Sequence, residues 1–239
     1  MALNTNTIAA WRCDESSGNP QDSSSTNHLT NNNVVAFVSW KVGNAWDFWS
    51  ANTTKYFDIA SALWLWTYQA DTWSVRRWVN ITTAPVAWEI QNIFGLCNVA
   101  KSQTNFGYAN NGWTLQLQYT NFNGITAETF TWTQTFTTWA WYDVWLIKNG
   151  TTLTAYVDGA SLWTRTITIA DASPARASQF TLWRAAFDVW SFMKGLVDEV
   201  TVWSDAKLLA DVTEAYNAGA WKVYPFPSAI LWSAFLLFL

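Results

Sequence analysis

"GLVDEVTVWSDAKLLADVTEAYNAG", residues 195–219, carries two periodicities in one run. Across 195–203, Leu196, Asp198, Val200 and Val202 fall at every second position, the spacing of one strand face, and that face is expected to meet the core. From Ser204 the period lengthens. Leu208, Leu209, Val212 and Tyr216 recur at helical intervals, Ser204 or Asp205 can cap the start, and Asn217 to Gly219 stop the run. The stretch predicts a strand followed at once by one short helix near 205–216.

Outward from this stretch, the alternation of period two recurs along the chain. It appears in "TIAAWRC" (7–13), "TWSVRRWVNI" (72–81), "WTLQLQYT" (113–120), "WYDVWLIKNG" (141–150), "TLTAYVDG" (152–159), "TRTITIA" (164–170) and "QFTLW" (179–183). Short alternating runs bounded by Asn, Gly, Asp or Ser predict an all-β sandwich or barrel. Asn149-Gly150 and Asp158-Gly159 suit tight turns whose residues need positive φ. The first strand is expected beside the one at 196–203. No linker or internal repeat divides residues 1–224, which are taken as one domain.

Composition narrows the function classes. The 239 residues carry 17 acids and 13 bases, a net charge of −4, with no basic stripe of the kind nucleic acid requires. The one histidine, His28, lies in a polar loop, poor material for a zinc site or a catalytic triad. Cys13 and Cys97 are either a disulfide or two buried thiols. The N-terminus shows no signal-peptide pattern. The apolar end, "AILWSAFLLFL" (229–239), is too short to span a bilayer. Residues 225–239 are expected outside the domain, as a truncated membrane anchor or the product of an incomplete reading frame. Any membrane contact is expected through them alone.

Several blocks occur in an order that carries a family resemblance. They are "AAWRCDESSGN" (9–19), "DSSSTNHLTNNN" (22–33), "KVGNAWDF" (41–48), "WSVRRWVN" (73–80), "WYDVWLIKNGTTLTAYVDG" (141–159) and "GLVDEVTVWSDAKL" with "AYNAG" (195–219). Over residues 7–222 the chain resembles the laminin-G-like domains of the concanavalin A-like lectin/glucanase superfamily. The resemblance implies a two-sheet antiparallel jelly roll, and a binding module rather than a fixed activity.

Set against that pattern, the 20 Trp and 10 Gly are out of proportion. Trp11, Trp78, Trp141 and Trp203 stand where the family has an aromatic. Trp40, Trp49, Trp183 and Trp221 stand where it has glycine. Trp46, Trp64, Trp66, Trp88, Trp113, Trp139, Trp163, Trp190 and Trp232 occupy loop-like or small-residue contexts. A bulky residue at a left-handed position is strained where glycine is not. Two readings stay open: UGA codons read as Trp that the source organism reads as Gly, or a Trp-rich lectin with aromatic loops.

Glycosidases need two facing carboxylates. Here Glu89 and Glu128 stand alone, and strict alternation would turn Asp198 and Glu199 to opposite faces. Glu15 shares a face with Trp11 and Cys13. A carboxylate on an apolar face must be paired or coordinated. Asp14, Glu15, Asp22 and Asp198 are therefore candidate ligands for a structural calcium, the other reading being that Asp198 and Glu15 accept backbone N–H bonds. The sequons at Asn52, Asn80 and Asn149 match by chance as readily as by design. The expected function is a non-catalytic carbohydrate-binding or adhesion module, extracellular or at a cell surface or in a phage-like structural protein. Its partner would be a glycan or a surface protein, and no nucleic acid. A glycoside hydrolase or lyase with an unrecognised acid pair is the alternative.

Overall fold

The structure, a computed structural model, describes residues 2–40, 43–48, 55–59, 72–87, 89–97, 103–110, 114–123, 125–169, 179–182, 192–220 and 222–226. It is a sandwich of two antiparallel sheets. The first runs β13 (Ala160–Thr166), β12 (Thr152–Val157), β11 (Trp141–Asn149), β6 (Thr72–Ile81), β15 (Gly195–Trp203), β4 (Asn44–Asp47) and β3 (Ala36–Ser39). β1 (Thr7–Trp11) joins it on β15. The second sheet runs β10 (Ala127–Thr133), β9 (Leu115–Phe122), β8 (Gln103–Asn110), β7 (Ile90–Cys97), β14 (Gln179–Leu182), β5 (Tyr56–Ile59) and β2 (Thr30–Asn32).

The first strand pairs with β15 as expected, Trp11 opposite Val200 and Ala10 opposite Thr201. β4 pairs with the same strand further along, at Leu196 and Val197. β15 thus holds two short strands end to end. The hairpins follow the glycines. Asp158 (φ 52°) and Gly159 (φ 78°) form the two-residue turn between β12 and β13. At the other end Asn149 is the last ladder residue, opposite Thr152, and Gly150 (φ 58°) takes the left-handed position.

Alternation along β6 explains both of its buried faces. Trp73, Val75, Val79 and Ile81 point into the core between the sheets, with Trp11, Phe57, Phe94, Phe106, Leu117 and Trp132. Ser74, Arg76 and Trp78 point outward, where the short helix α1 (Leu209–Tyr216) covers them. A second apolar cluster lies there, made of Leu3, Trp145, Ile147, Trp203, Val212, Ala215 and Phe226. The Trp145 and Trp203 rings stack at 5.1 Å between centroids.

The helix starts later than its periodicity suggests. Neither Ser204 nor Asp205 caps it: Asp211 Oδ2 accepts the Leu208 N–H at 3.0 Å, and Asp205 instead pairs with Lys207. Leu208 and Leu209, expected on the buried face, are 70% and 54% exposed. Asn217 (φ 48°) ends the helix. Phe226 belongs to the segment expected outside the domain, yet it is 1% exposed and packs on Trp203. Residues 227–239 lie outside the described residues. Among the described residues no helix is long and apolar enough to cross a membrane.

One ion pair holds the helix side together. Arg76 Nε donates to Asp143 Oδ1 at 2.9 Å, with both side chains fully buried. Its other nitrogens donate to the carbonyls of Lys222 and Ala215. Arg76→Ala should destabilise the domain by about 3–5 kcal/mol, because it strands a buried carboxylate. Arg76→Met combined with Asp143→Leu should recover most of that loss in urea denaturation. A single variant as stable as the parent would show that the helix side does not depend on the pair.

Candidate functional site

Asp198, one of the carboxylates singled out from sequence, sits at a break in β15. Register on β6 shifts between Asp198 and Thr201, and Glu199 adopts φ 51°, so this is a β-bulge. The bulge also falls between the β4-paired and β1-paired stretches of β15. Asp198 lies opposite Trp78, on the outer side of the sheet, whereas Val200 and Val202 belong to the core. The strict alternation expected across 195–203 therefore fails at this one residue. Leu196 and Asp198 do not share the core face of Val200 and Val202. Glu199 also reaches the outer side, where its Oε2 accepts the Tyr224 N–H at 3.4 Å.

Both acids are closed off from solvent, Asp198 at 0% and Glu199 at 1% exposure. Burial, followed by the neighbouring Glu199, pushes Asp198 up to about 9. Burial likewise pushes Glu199 up to about 8, against the opposing pull of Arg76. Asp198 Oδ1 accepts the Glu199 N–H at 2.9 Å. Asp198 Oδ2 and Glu199 Oε1 have no hydrogen-bond partner among the described residues. Cys13 (φ 62°), a buried free thiol beside them, is raised by burial and then by Asp198. The side chain of Cys97 lies outside the described residues.

The opening loop brings some of the other candidates near and uses one elsewhere. Asp14 pairs with Arg12 at 2.9 Å, and its Oδ1 fills the space where Gly43 would carry a Cβ. Glu15 Oε1 accepts the Gln21 N–H at 2.6 Å, while its Oε2 is buried without a partner. Asn44 Nδ2 donates to the carbonyls of both residues. Asp22 does different work. Its Oδ1 accepts from Ala10 N, Ser24 N and Ser24 Oγ, and its Oδ2 from Ser25 Oγ and Asn27 N. Its oxygens are committed to shaping the loop, and His28 Nδ1 accepts the Asp22 N–H.

Three orphaned, buried carboxylate oxygens, on Asp198, Glu199 and Glu15, suit a hard cation such as Ca²⁺, which takes oxygen ligands in loose geometry. Among the described residues no three acidic, His or Cys side chains are already gathered around one metal position. Glu199 was missed as a candidate because nothing in an alternating run announces a bulge.

The outer face of the second sheet has a different chemistry. One row crosses all of its strands as Thr129, Thr120, Asn105, Gly95, Thr181, Asp58 and Thr30. The next row is Thr131, Gln118, Gly107 and Asn92. The row between them on the opposite face is core: Phe130, Tyr119, Phe106, Phe94, Leu182 and Phe57. Thr129 is exposed and Thr120, Thr131, Asn105 and Gln118 are half-buried, while Thr181 is fully buried. Gly107 is obligatory, since a Cβ there would collide with the Gln91 carbonyl. Elsewhere Glu89 pairs with Lys194, and Glu128 binds the backbone and hydroxyl of Thr168.

Two antiparallel layers around an aromatic core, one of them covered by a short helix after the last strand, define a lectin-like sandwich. A family model described as the concanavalin A-like lectin/glucanases superfamily, laminin G type, matches residues 51–213, and the chain belongs to that family. No curated protein matches the chain. Among solved structures it is similar to domain 4 of AbnA, a GH43 extracellular arabinanase from Geobacillus stearothermophilus, in complex with arabinotriose. That match has 16% identity and a TM-score of 0.67, covering 87% of this chain and 97% of that one. The binding domain of botulinum neurotoxin DC in complex with rat synaptotagmin II matches at 10% identity and TM-score 0.71 over 90% of this chain. A botulinum neurotoxin type C structure, whose cell entry is described as dependent on interaction with two ganglioside molecules, matches at 10% and 0.70 over 90%. The chain spans about half of each toxin structure, 52% in both.

The Asp22 network makes a measurable contribution. Burial alone would raise its carboxyl, but the bonds from Ala10, Ser25 and Ser24 outweigh this and hold it below the ordinary carboxylate range. A depressed folded-state value stabilises the domain above the unfolded pKa, and that share is lost as pH falls through the folded value. Asp22→Asn should cost about 2–3 kcal/mol at pH 7. The gap to the parent protein should shrink in acid. An equal gap at pH 7 and pH 3 in denaturant melts would show that the charge of Asp22 contributes nothing.

Proposed function

We propose that the protein is a non-catalytic carbohydrate-binding or adhesion module, acting outside the cell, at its surface or in a phage-like structural protein. The observation that carries the proposal is the outer face of the second sheet over β9 and β10, where Thr129 and Thr133 are exposed and Thr120, Thr131, Gln116 and Gln118 half-buried. Such groups match the donors and acceptors of a glycan. The arabinotriose and gangliosides named for the structural relatives support the same class of partner, and the synaptotagmin complex keeps a surface protein in view. The hydrolase alternative would need an accessible acid pair. Asp198 and Glu199 are the adjacent buried pair, and both are sealed from any substrate. Purified protein should therefore retain a polysaccharide without releasing reducing ends from it. Product release from any glycan would overturn the non-catalytic reading.

A structural calcium belongs to the same proposal. Asp198 and the adjacent Glu199 would supply its carboxylates, and its charge would neutralise them; Asp14 and Glu15 stay candidates from the opening loop, and Asp22 takes no part. Ligand at a hundredfold excess over Kd stabilises a fold by ~2.7 kcal/mol. Chelation should lower the melting temperature, and Asp198→Asn should abolish that response. A melt unchanged by chelator would leave the acids as hydrogen-bonded groups without a metal.

The surplus tryptophans bear on where a sugar could stack. We propose that the loop positions among them are glycine in the natural protein, through reassigned UGA codons. Trp139 supports this, being 54% exposed at φ 67°. Trp163, though 72% exposed, lies within β13 and not in a loop. Trp40, 39% exposed, follows β3 and packs against Trp141. Trp46 does not fit the loop set: it lies in β4, fully buried against Phe57. Trp49, Trp64, Trp66, Trp88, Trp113, Trp183, Trp190, Trp221 and Trp232 lie outside the described residues. Peptide mass spectrometry of native material should find Gly at position 139; Trp there would refute the reassignment.

A further inference from the structure

We propose that the free edge of β3 is a self-association surface, on which a second copy of this chain pairs its own β3 antiparallel across a two-fold axis, Phe37 opposite Ser39 and Val38 opposite Val38.

The outermost strand of a sheet carries a row of open main-chain groups, and folds ordinarily guard them. The other outer strands here are guarded. Trp132 Nε1 donates to the Trp163 carbonyl of β13 at 2.7 Å, and an Arg165 guanidinium nitrogen donates to the Thr131 carbonyl of β10 at 2.9 Å. On β2, Asn19 Oδ1 accepts the Asn31 N–H at 2.9 Å. On β1, Asp22 Oδ1 accepts the Ala10 N–H, and the Ser23 N–H reaches the Ala10 carbonyl.

β3 has no such guard among the described residues. The Trp40 N–H donates to the Gly43 carbonyl, and this sets the phase of the β3–β4 ladder. Hydrogen-bonded and non-hydrogen-bonded pairs alternate along an antiparallel ladder. Val38 and Ala36 therefore bond to Ala45 and Asp47, while the N–H and C=O groups of Phe37 and Ser39 point away from the sheet. Before Ala36 the edge is closed: the Asn31 side chain takes both the Val35 N–H and the Val35 carbonyl. The open row thus consists of Phe37 and Ser39.

A copy of the same strand fits this row without remainder. With Val38 on the axis, Phe37 of each copy exchanges both main-chain bonds with Ser39 of the other, and every open group on both is used. The strand, Ala-Phe-Val-Ser, carries no charge, so its self-pairing sets no like charges opposite each other. Phe37 packs on the core, so Val38, half-buried, lies on the outer side of the sheet. The two Val38 side chains would meet there at the closer, non-hydrogen-bonded position, where β-branched pairs pack well. Ala36 would lie opposite residue 40 of the other copy, and main-chain bonds form alike whether Trp or Gly stands there. So short an interface makes a weak, concentration-dependent dimer.

Sedimentation velocity of the full chain over a wide range of concentration tests the proposal. A monomer–dimer equilibrium is expected. Ser39→Pro removes an outward N–H and leaves the bonds to β4 whole, so it should weaken association by about tenfold or more with an unchanged melting temperature. Val38→Lys and Val38→Glu each set like charges opposite one another on the axis. Each variant alone should sediment as a monomer where the parent is dimeric, and an equimolar mixture of the two should recover the dimer. Parental association in Ser39→Pro, or no recovery in a mixture of two folded Val38 variants, would show that copies meet elsewhere and overturn the proposal. A parent that stays monomeric throughout would overturn it too, and leave the edge to a strand from another protein.

Discussion

A guanidinium buried without solvent must have its charge and its donors answered from within the fold, and Arg76 imposes that condition on the whole helix side of the sandwich. Asp143 answers the charge, while the carbonyls of Ala215 and Lys222 take the remaining donors. The rings of Trp78, Trp145 and Phe226 lie within 6 Å of the guanidinium carbon, so its flat faces are covered as well. Each partner comes from a different part of the chain: β6, β11, the helix end and the segment beyond it. Burial raises the Asp143 carboxyl, and the nearby Arg76 works against that rise. Helix, last strand and C-terminal segment can be placed only in the arrangement that satisfies this one group.

How much of this was legible follows from how periodic each element is. β6 and β15 occupy the residues their alternation marks, and β11 differs from its marked run by one residue, because central strands with a packed inner face leave a regular trace. β7, "IQNIFGLC", leaves none, since both of its faces are enclosed and its register shifts between Asn92 and Phe94. The short strands β2, β3 and β5 are too brief for a period to show. The helix cap was misplaced because Ser204 and Asp205 are good capping residues that the fold spends on Asn6 and Lys207. The acid cluster was half visible. Asp198 and Glu15 drew notice as carboxylates in apolar company, but the bulge that adds Glu199 depends on where two other strands end. The polar face of the second sheet was invisible for a plainer reason: a row across strands is scattered over the sequence from Thr30 to Thr181.

The two sheets divide their labour through what covers them. The outer side of the first sheet is consumed by the helix, the C-terminal segment and the buried charges, so its polar groups serve the fold. The second sheet keeps its threonines and amides unspent over β8 to β10, with Asn105 and Gln118 oxygens still lacking partners.

Asn4 and Phe226 exchange two hydrogen bonds, Asn4 Nδ2 to the Phe226 carbonyl at 2.7 Å and Phe226 N–H to Asn4 Oδ1 at 2.9 Å. The two ends of the described chain therefore leave the sandwich side by side. Tension applied through both would peel β1 from β15 one ladder rung at a time, instead of loading all the rungs in shear. The seam would open at low force, beginning at Thr7 and Trp203 and running toward the bulge where Asp198 and Glu199 are sealed. A module hung by a single corner swings freely about that point. Its mechanical fuse and its buried acids lie on the same strand.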